Sequence, residues 1–326
     1  MLIFSICFAM FLNNERNNMI LVTGGAGYIG SHVCKKLSSL GYRHVCCDSL
    51  VNGDKNVVKY GTFEICDILN EENLRSIFSK YNFKAVIHLA SFAFVNESIL
   101  DPEKYLRNNA AGTIVLLKIM KEFEVNKIVF SSSCSVYGNA PMPITENSDL
   151  KPINPYGISK LIAEKAIINS DISYSIFRFF NVVGTDPSLE LGLGINNSSR
   201  ILIALLESVI NDKPFRIYGM NCSTYDGTCL RDYVHVSDIS DAIVLGLNNN
   251  GIYNLGSETG HTVLDLVNKV ETLSKKKIQV IIENKREGEP DFLVADSSLA
   301  FEKLKWKPKF SIDDAIIHSL KKKAII

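Results

Sequence analysis

A short apolar run, Ile20-Leu21-Val22-Thr23, leads straight into Gly24-Gly25-Ala26-Gly27-Tyr28-Ile29-Gly30, and a helical pattern follows over 29–40. A strand that ends in Gly25-x-Gly27-x-x-Gly30 and opens a helix leaves few folds available. The glycines allow a tight turn and bring backbone N–H groups at the helix N-terminus against a pyrophosphate. Alone, such spacing is often only a turn. Here a second strand over 45–48 closes on Asp48, whose carboxylate can bond the ribose hydroxyls of an adenosine and repel a 2′-phosphate. The pattern therefore reads as a dinucleotide site that favours NAD over NADP. Asp67-Ile68, after a third strand, are placed to reach the adenine, and Asp67 also suits a helix N-cap.

From Met19 onward, β-branched runs alternate with amphipathic stretches. Strands are predicted over 20–23, 45–48, 62–65, 85–90, 127–132 and 174–180, with helices over 29–40, 73–80 and 105–123. This is an α/β pattern: a Rossmann-like, doubly wound parallel sheet joined by right-handed crossovers. After Asn181 the alternation fades into a stretch rich in Gly, Asn, Pro and Ser over 184–197, read as a loop over a cleft. A helix over 199–210, strands over 215–218 and 278–282, and helices over 263–273 and 312–322 form a smaller C-terminal α/β substrate-binding lobe. The division expected is an extension (1–18), an NAD-binding domain (19–182), and a lobe (183–326) with segments returning to the first domain.

With 46% hydrophobic and 21% charged residues, the chain has the makeup of a soluble globular protein. Lys plus Arg and Asp plus Glu balance at 35 each, so there is no broad basic field for nucleic acid and no polybasic membrane patch. Any anion must be held by a few placed groups. Cysteines at 7, 34, 46, 47, 66, 134, 222 and 229 show no Cys-x-x-Cys pair and no histidine at zinc spacing. They read as small buried apolar residues in a reducing compartment, with neither disulfide nor metal expected. Residues 1–12 are nearly all apolar but shorter than the ~20 needed to span a bilayer. No Lys or Arg precedes them and no small-residue cleavage site follows, so they read as an upstream start or loose extension, with a weak membrane anchor as the alternative. A cytoplasmic location without stable membrane association is expected.

In mid-chain, Asn154-Pro155 has the form of an N-cap and first-turn proline, which starts a helix just before Tyr156-Gly157-Ile158-Ser159-Lys160. Tyr156 and Lys160, four apart, then share a face. The ammonium and a bound nicotinamide cation both favour the phenolate. Lowering a phenol pKa from about 10 towards 7 takes on the order of 4 kcal/mol, within reach of two cations in a dry cleft. Tyr156 becomes a general base. Ser131-Ser132-Ser133 ends the strand over 127–132 at the same sheet edge, and Ser133 is the serine expected to bond the same reacting oxygen.

These residues resemble the extended short-chain dehydrogenase/reductases, where glycines also overlap as Gly24-x-x-Gly27-x-x-Gly30, and among them the UDP-glucose 4-epimerases. The resemblance runs from Met19 to the end of the chain. It is carried by Val22-Thr-Gly-Gly-Ala-Gly-Tyr-Ile-Gly-Ser-His32, Phe130-Ser-Ser-Ser-Cys-Ser-Val-Tyr-Gly138, Pro155-Tyr-Gly-Ile-Ser-Lys160 and Arg178-Phe-Phe-Asn181. More specific are Asp226-Gly-Thr-Cys-Leu-Arg-Asp-Tyr-Val-His-Val236, Tyr253-Asn-Leu-Gly256 and Arg286-Glu-Gly288. The resemblance implies that Tyr28, Ile29, Leu89, Ala90 and Asn108 line the cofactor and that Lys160 also bonds the nicotinamide ribose. Asn181 and Tyr218 would contact the sugar nucleotide, with Arg231 and Arg286 gripping its phosphates and ribose, a task suited to guanidinium forks. The implied reaction is a hydride loan. Tyr156 takes the 4-hydroxyl proton while NAD accepts the C4 hydride, and the 4-keto sugar turns and takes the hydride back on its other face. A homodimer paired through helices of the sheet domain is also implied.

Several positions depart from the family pattern. Ala93 stands where some members carry lysine, Cys66 replaces a glycine, and Arg200 occupies a position where Asn or His is expected. An arginine there can add a diphosphate contact. Leu293 stands at the position of the family's sugar-pocket gate, which points to unsubstituted hexoses. A 4,6-dehydratase, the less favoured alternative, needs carboxylic acids where this chain has Ser132-Ser133-Cys134-Ser135, which argues strongly against that chemistry. Epimerases of N-acetylhexosamine, glucuronate or pentose nucleotides share the same core. A non-catalytic NAD sensor, the alternative from another class, would have little reason to keep Ser133, Tyr156, Lys160 and the arginines together.

Overall fold

The structure, a computed structural model, describes residues 19–194 and 200–326. The extension 1–18 and residues 195–197 of the predicted loop lie outside the described residues.

Strands β1 (Met19–Thr23) and β2 (His44–Asp48) are buried at every position. Continuous burial is what a parallel strand covered on both faces requires. With β3 (Thr62–Ile65), β4 (Phe83–His88), β5 (Lys127–Ser133), β6 (Ser173–Phe179) and β10 (Gly251–Leu255) they form one seven-stranded sheet in the order β10-β6-β5-β4-β1-β2-β3, parallel throughout. The order reverses between β1 and β4, where a crevice opens at the carboxyl ends of the strands. The edge strand β10 is contributed by the C-terminal half.

Helices α1 (Tyr28–Ser39), α2 (Glu71–Lys80), α3 (Val95–Leu100), α4 (Pro102–Tyr105), α5 (Gly112–Glu122) and α6 (Pro155–Ile168) make the crossovers and cleft walls. Successive β1 side chains serve opposite faces. Leu21 packs with Leu74, Leu116, Ile119 and Ile167 on one side, while Ile20 and Val22 pack with Val33, Leu37, Ile239 and Ile243 on the other. The helix predicted over 105–123 starts earlier, at Pro102 behind an Asp101 cap, and widens into a π-helical stretch at Leu106–Ala111. Side-chain periodicity does not reveal such a turn. Its position is set by Asn109, whose amide bonds the Phe92 backbone in both directions and Ser159 on α6.

The remaining elements are β7 (Asn181–Val183), α7 (Ile201–Asn211), β8 (Phe215–Tyr218), β9 (Leu230–His235), α8 (Val236–Leu245), β11 (Gly260–Thr262), α9 (Val263–Ser274), β12 (Val280–Glu283), β13 (Phe292–Leu293), α10 (Ser298–Leu304) and α11 (Ile312–Lys322). Strand β9 pairs with β7, β11 and β13, and β8 pairs with β12. A separate core of Leu205, Val209, Ile217, Leu266, Val270 and Ile316 holds this part together. The predicted strand 278–282 is shifted to Val280–Glu283, and the predicted helix 199–210 is seen at Ile201–Asn211.

Candidate active site

The turn after β1 is shaped to exclude side chains. Gly24 has φ +72°, and a Cβ there would sit 2.6 Å from the Ala90 nitrogen; a Cβ on Gly30 would sit 2.1 Å from the Gly24 carbonyl oxygen. Helix α1 begins at Gly27 with no side-chain cap and no acidic residue in its first turn. Its amide groups and positive dipole end are thus left for an anion. Asp48 accepts hydrogen bonds from the Ala26 and Leu50 amides at 3.0 and 2.8 Å, which fix its carboxylate at the end of β2. Burial raises its pKa and these amides oppose the rise.

Each residue assigned from the sequence to the cofactor lines one cleft, from Gly24 through Asp48, Ile68, Ala90 and Asn108 to Tyr156 and Lys160. The lining runs from the glycine turn past Asp48 and Ile68 to Tyr156 and Lys160, the extended shape that a dinucleotide needs. The open helix end, the side-chain-free cradle and the acceptor at β2 fit NAD. Ala93 lines the cleft without offering a donor.

Asn154 caps α6 by accepting from the Gly157 amide at 2.8 Å. That start sets Tyr156 and Lys160 at the inner end of the cleft. Burial pushes the Tyr156 phenol up to about 12, with the nearby Ser133 hydroxyl and the Arg200 charge acting the other way. Lys160 does not bond the phenol. Its Nζ donates to the Ser131 carbonyl at 2.7 Å and to Ser91 Oγ at 3.0 Å, and it lies 4.9 Å from the Phe130 ring centre. Burial pulls its pKa down to about 7, with Glu164 opposing. The expectation that the ammonium lowers the phenol pKa directly is therefore corrected. Lys160 lies too deep because Ser91 and Ser131 offer it acceptors on the sheet side.

Arg200 lies over the Tyr28 ring at 4.7 Å and donates to the Leu193 carbonyl at 3.0 Å, within the same cleft. The other residues assigned to substrate lie outside that lining. Arg231 on β9 bonds the Leu230 and Asp291 carbonyls at 3.0 and 3.2 Å, and its charge is felt at Cys134, next to Ser133. Arg286 lies 3.7 Å over the Tyr218 ring. Glu289 stands between the two guanidinium groups, 3.8 Å from Arg231 and 3.5 Å from Arg286. Asn181 opens β7 beside Tyr233, one strand from Arg231. Leu293 is opposite Arg231 in register, but its side chain packs with Cys134 and Phe180.

Sequence reasoning did not single out Ser91, Asn109, Asp232 or Glu289. Asp232 is buried and accepts from the Ser257, Glu258 and Ala295 amides at 2.6, 3.0 and 3.2 Å, locking the strand that carries Arg231. Its place directly after Arg231 in the Arg-Asp-Tyr run was the available signal. Asn154 also donates to the Gly288 carbonyl at 3.1 Å, which links the start of α6 to the Arg286 segment.

The NAD dependent epimerase/dehydratase family matches residues 20–256. The chain belongs to this family. A UDP-glucose 4-epimerase of Rhizobium meliloti is 34% identical over 309 residues, covering 91% of this chain and 94% of that protein. The crystal structure of UDP-glucose 4-epimerase from Brucella ovis in complex with NAD superposes with a TM-score of 0.87 at 38% identity, covering 93% of this chain and 97% of the other. That of the Bifidobacterium longum enzyme in complex with NAD+ and UDP gives 0.88 at 33%, covering 94% and 98%. The epimerase/dehydratase fold thus accounts for the parallel sheet, and the family's NAD dependence fits the cradle described above. Among the described residues no helix is long and apolar enough to cross a membrane, and no cluster of His, Cys, Asp or Glu is placed to hold a metal.

Proposed function

We propose that this protein is an NAD-dependent UDP-glucose 4-epimerase that interconverts UDP-galactose and UDP-glucose. The observation that carries the reading is the placing of Tyr156 and Lys160 at the inner end of a dinucleotide cleft, with Ser133 close enough to the phenol to act on its pKa. The similarity to UDP-glucose 4-epimerases along nearly the whole chain supports it.

NAD supplies the hydride acceptor and donor. Tyr156 takes the proton of the sugar 4-hydroxyl and later returns it, while Ser133 bonds the same oxygen. Lys160 orients the ribose of the cofactor from its seat on Ser131 and Ser91. Arg231 and Arg286 grip the uridine diphosphate, and Glu289, which now neutralises them, yields one of its partners to the phosphates. Asn181, Tyr218 and Arg200 complete the nucleotide contacts. Leu293, through the packing under Ser133, limits the sugar pocket and favours unsubstituted hexoses. Holding the nucleotide firmly and the hexose loosely lets the oxidised sugar turn. Residues 19–182 with β10 form the NAD-binding unit, and the rest is mainly substrate-binding.

We also infer a homodimer. Ile158 and Ile162 on α6 are each 40% exposed, next to Leu106 and Ile114 at 37% and 51% on the neighbouring helical stretch. An apolar helical face of this kind suits a twofold contact. A cytoplasmic location fits the unpaired cysteines.

The test is incubation with UDP-galactose, UDP-N-acetylgalactosamine, UDP-glucuronate and UDP-xylose, with each product identified by chromatography. Conversion of UDP-galactose to UDP-glucose is expected. Turnover of another sugar alone would assign a sister specificity, and turnover of none would overturn the reading.

A further inference from the structure

Between β8 and β9 the chain makes a compact loop with Cys222 at one end and Cys229 at the other. The Cys222 amide donates to the Gly227 carbonyl at 2.9 Å, and Asp226 accepts from the Thr228 amide and hydroxyl at 2.8 and 2.9 Å. This folding back brings the two sulfurs to 3.2 Å, with both residues buried. A disulfide needs an S–S distance of ~2.05 Å, so little more than ~1 Å of motion separates the thiols from a bond.

We propose that Cys222 and Cys229 are a reversible disulfide site, closed by small-molecule disulfides such as oxidised glutathione. This departs from the reading of every cysteine as a plain core residue. In the first step Cys222 gives its proton to solvent as the loop opens, the resulting thiolate attacks a glutathione sulfur, and one glutathione thiolate leaves. In the second, Cys229 gives its proton to solvent and attacks Cys222 Sγ, and the second glutathione thiolate leaves. The protein thiols lose two electrons and one glutathione disulfide becomes two thiols.

Two other pairs touch, Cys34 with Cys46 and Cys47 with Cys66. Cys46 and Cys47 lie on β2, whose backbone is held by ladders to β1 and β3 on both sides, so the main chain there cannot shift to bring a sulfur to its partner. Cys222 and Cys229 lie outside any strand. Their loop has exposed neighbours, Met220 and Tyr225, through which local opening can admit the reagent. Burial and the Cys229 sulfhydryl push the Cys222 thiol up to about 12. Oxidation is therefore slow, and because the reduced form gains nothing from a stabilised thiolate, the bond once made resists reduction.

The loop joins Tyr218 to Arg231, and Asp291 ties it further by accepting from the Ser223 amide at 3.1 Å while its carbonyl receives Arg231. Closure thus stiffens the segment that carries one wall of the nucleotide end. The covalent test is independent of the assigned activity. The full-length reduced protein is incubated natively with oxidised glutathione, free thiols are alkylated, and peptides are mapped by mass spectrometry before and after dithiothreitol. The expected result is one linked species containing Cys222 and Cys229, lighter by two hydrogens and reversed by the reductant, with a rise in Tm on the order of 5 °C. Cys222→Ser and Cys222→Ala should both lose the rise. Alkylation of Cys222 and Cys229 after the incubation, linkage at 34–46 or 47–66 instead, or linkage only in urea would overturn the proposal.

Discussion

Glu164 and Arg178 form a forked ion pair inside the protein, Nη2 to Oε2 at 2.7 Å and Nε to Oε1 at 3.0 Å, with side chains 1% and 3% exposed. Glu164 lies one turn beyond Lys160 on α6 and also accepts from Ser132, the residue before Ser133. Arg178 Nη1 continues to the Tyr137 hydroxyl at 2.9 Å, which donates to Asn254 at 2.6 Å. One buried network therefore braces the serine strand, the tyrosine helix and the edge of the sheet.

Removing one partner leaves the other charge buried and unpaired, which costs about 3–5 kcal/mol. Arg178→Met is expected to lose that much in urea unfolding, while Glu164→Gln paired with Arg178→Met recovers part of it. Glu164→Gln alone also withdraws the group that props up the Lys160 pKa. The alkaline fall in kcat/KM of that variant should move to lower pH. A loss below about 1 kcal/mol for Arg178→Met would show that the pair is not structural.

On the proposed mechanism Tyr156→Phe removes the proton carrier and little else, because the ring keeps its edge contact with Tyr105 at 6.2 Å. A fall in kcat of about 10²–10⁴ is expected, with NAD binding and Tm retained. Addition of UDP-galactose to the variant should produce no absorbance of reduced cofactor, whereas the parent should show it. Equal signals would remove Tyr156 from the chemistry.

The Asp48 carboxylate is oriented by two amides, and on the proposed reading it sets cofactor choice. Asp48→Asn keeps its size but drops the charge-assisted bonds to ribose, worth ~1.5–3 kcal/mol, so NAD affinity should weaken about 10–100-fold. The penalty against a 2′-phosphate falls at the same time. Titrating NAD and NADP in parallel by calorimetry tests this, and an unchanged ratio would contradict it.

How legible all this was in the sequence depended on distance along the chain. The glycine turn, the Asp48 terminus and the Tyr156–Lys160 spacing are local patterns whose chemistry is written within a few residues. The Asn154 cap was equally readable, and the structure shows the bond it implies. What stayed hidden was pairing between remote segments. Lys160 finds Ser91, 69 residues away, and no pattern announces that acceptor. Arg178 sits in a run quoted for Asn181, yet its role needs Glu164 on another element. The π-helical stretch was missed because one wide turn leaves hydrophobic spacing nearly unchanged.

Buried histidines make the fold sensitive to acid, His44 among them, whose pKa burial also lowers. Burial pulls His32 down to about 4, and His88 and His235 each to about 3, from 6.5. Their folded pKa values lie below the unfolded value, so the stability they contribute is complete above pH 6.5 and is lost as pH falls towards 3–4. In that window the unfolded chain binds more protons. At pH 5 the loss is ~2 kcal/mol for each of His32, His88 and His235. Asp238, pushed up to about 6 by burial, works in the opposite sense between 3.8 and 6 and offsets part of one of them. The urea midpoint should drop clearly between pH 7.5 and pH 5, and His32→Asn should flatten the slope. A midpoint that stays level would mean that these rings are not neutral in the folded protein.

The apolar face on α6 offers a test of assembly that leaves the chemistry in place. Ile158 and Ile162 are one turn apart and exposed, whereas Lys160 and Ser159 between them are buried towards the cleft. Charged residues at the two isoleucines cost little inside the subunit, since both side chains are exposed, but in the inferred twofold contact they would place carboxylates in a desolvated interface. Ile158→Glu combined with Ile162→Glu is therefore expected to sediment as a monomer at concentrations where the parent is a dimer. Its helical circular dichroism should be unchanged. If the parent itself sediments as a monomer, or the variant still pairs, the contact lies elsewhere or does not form.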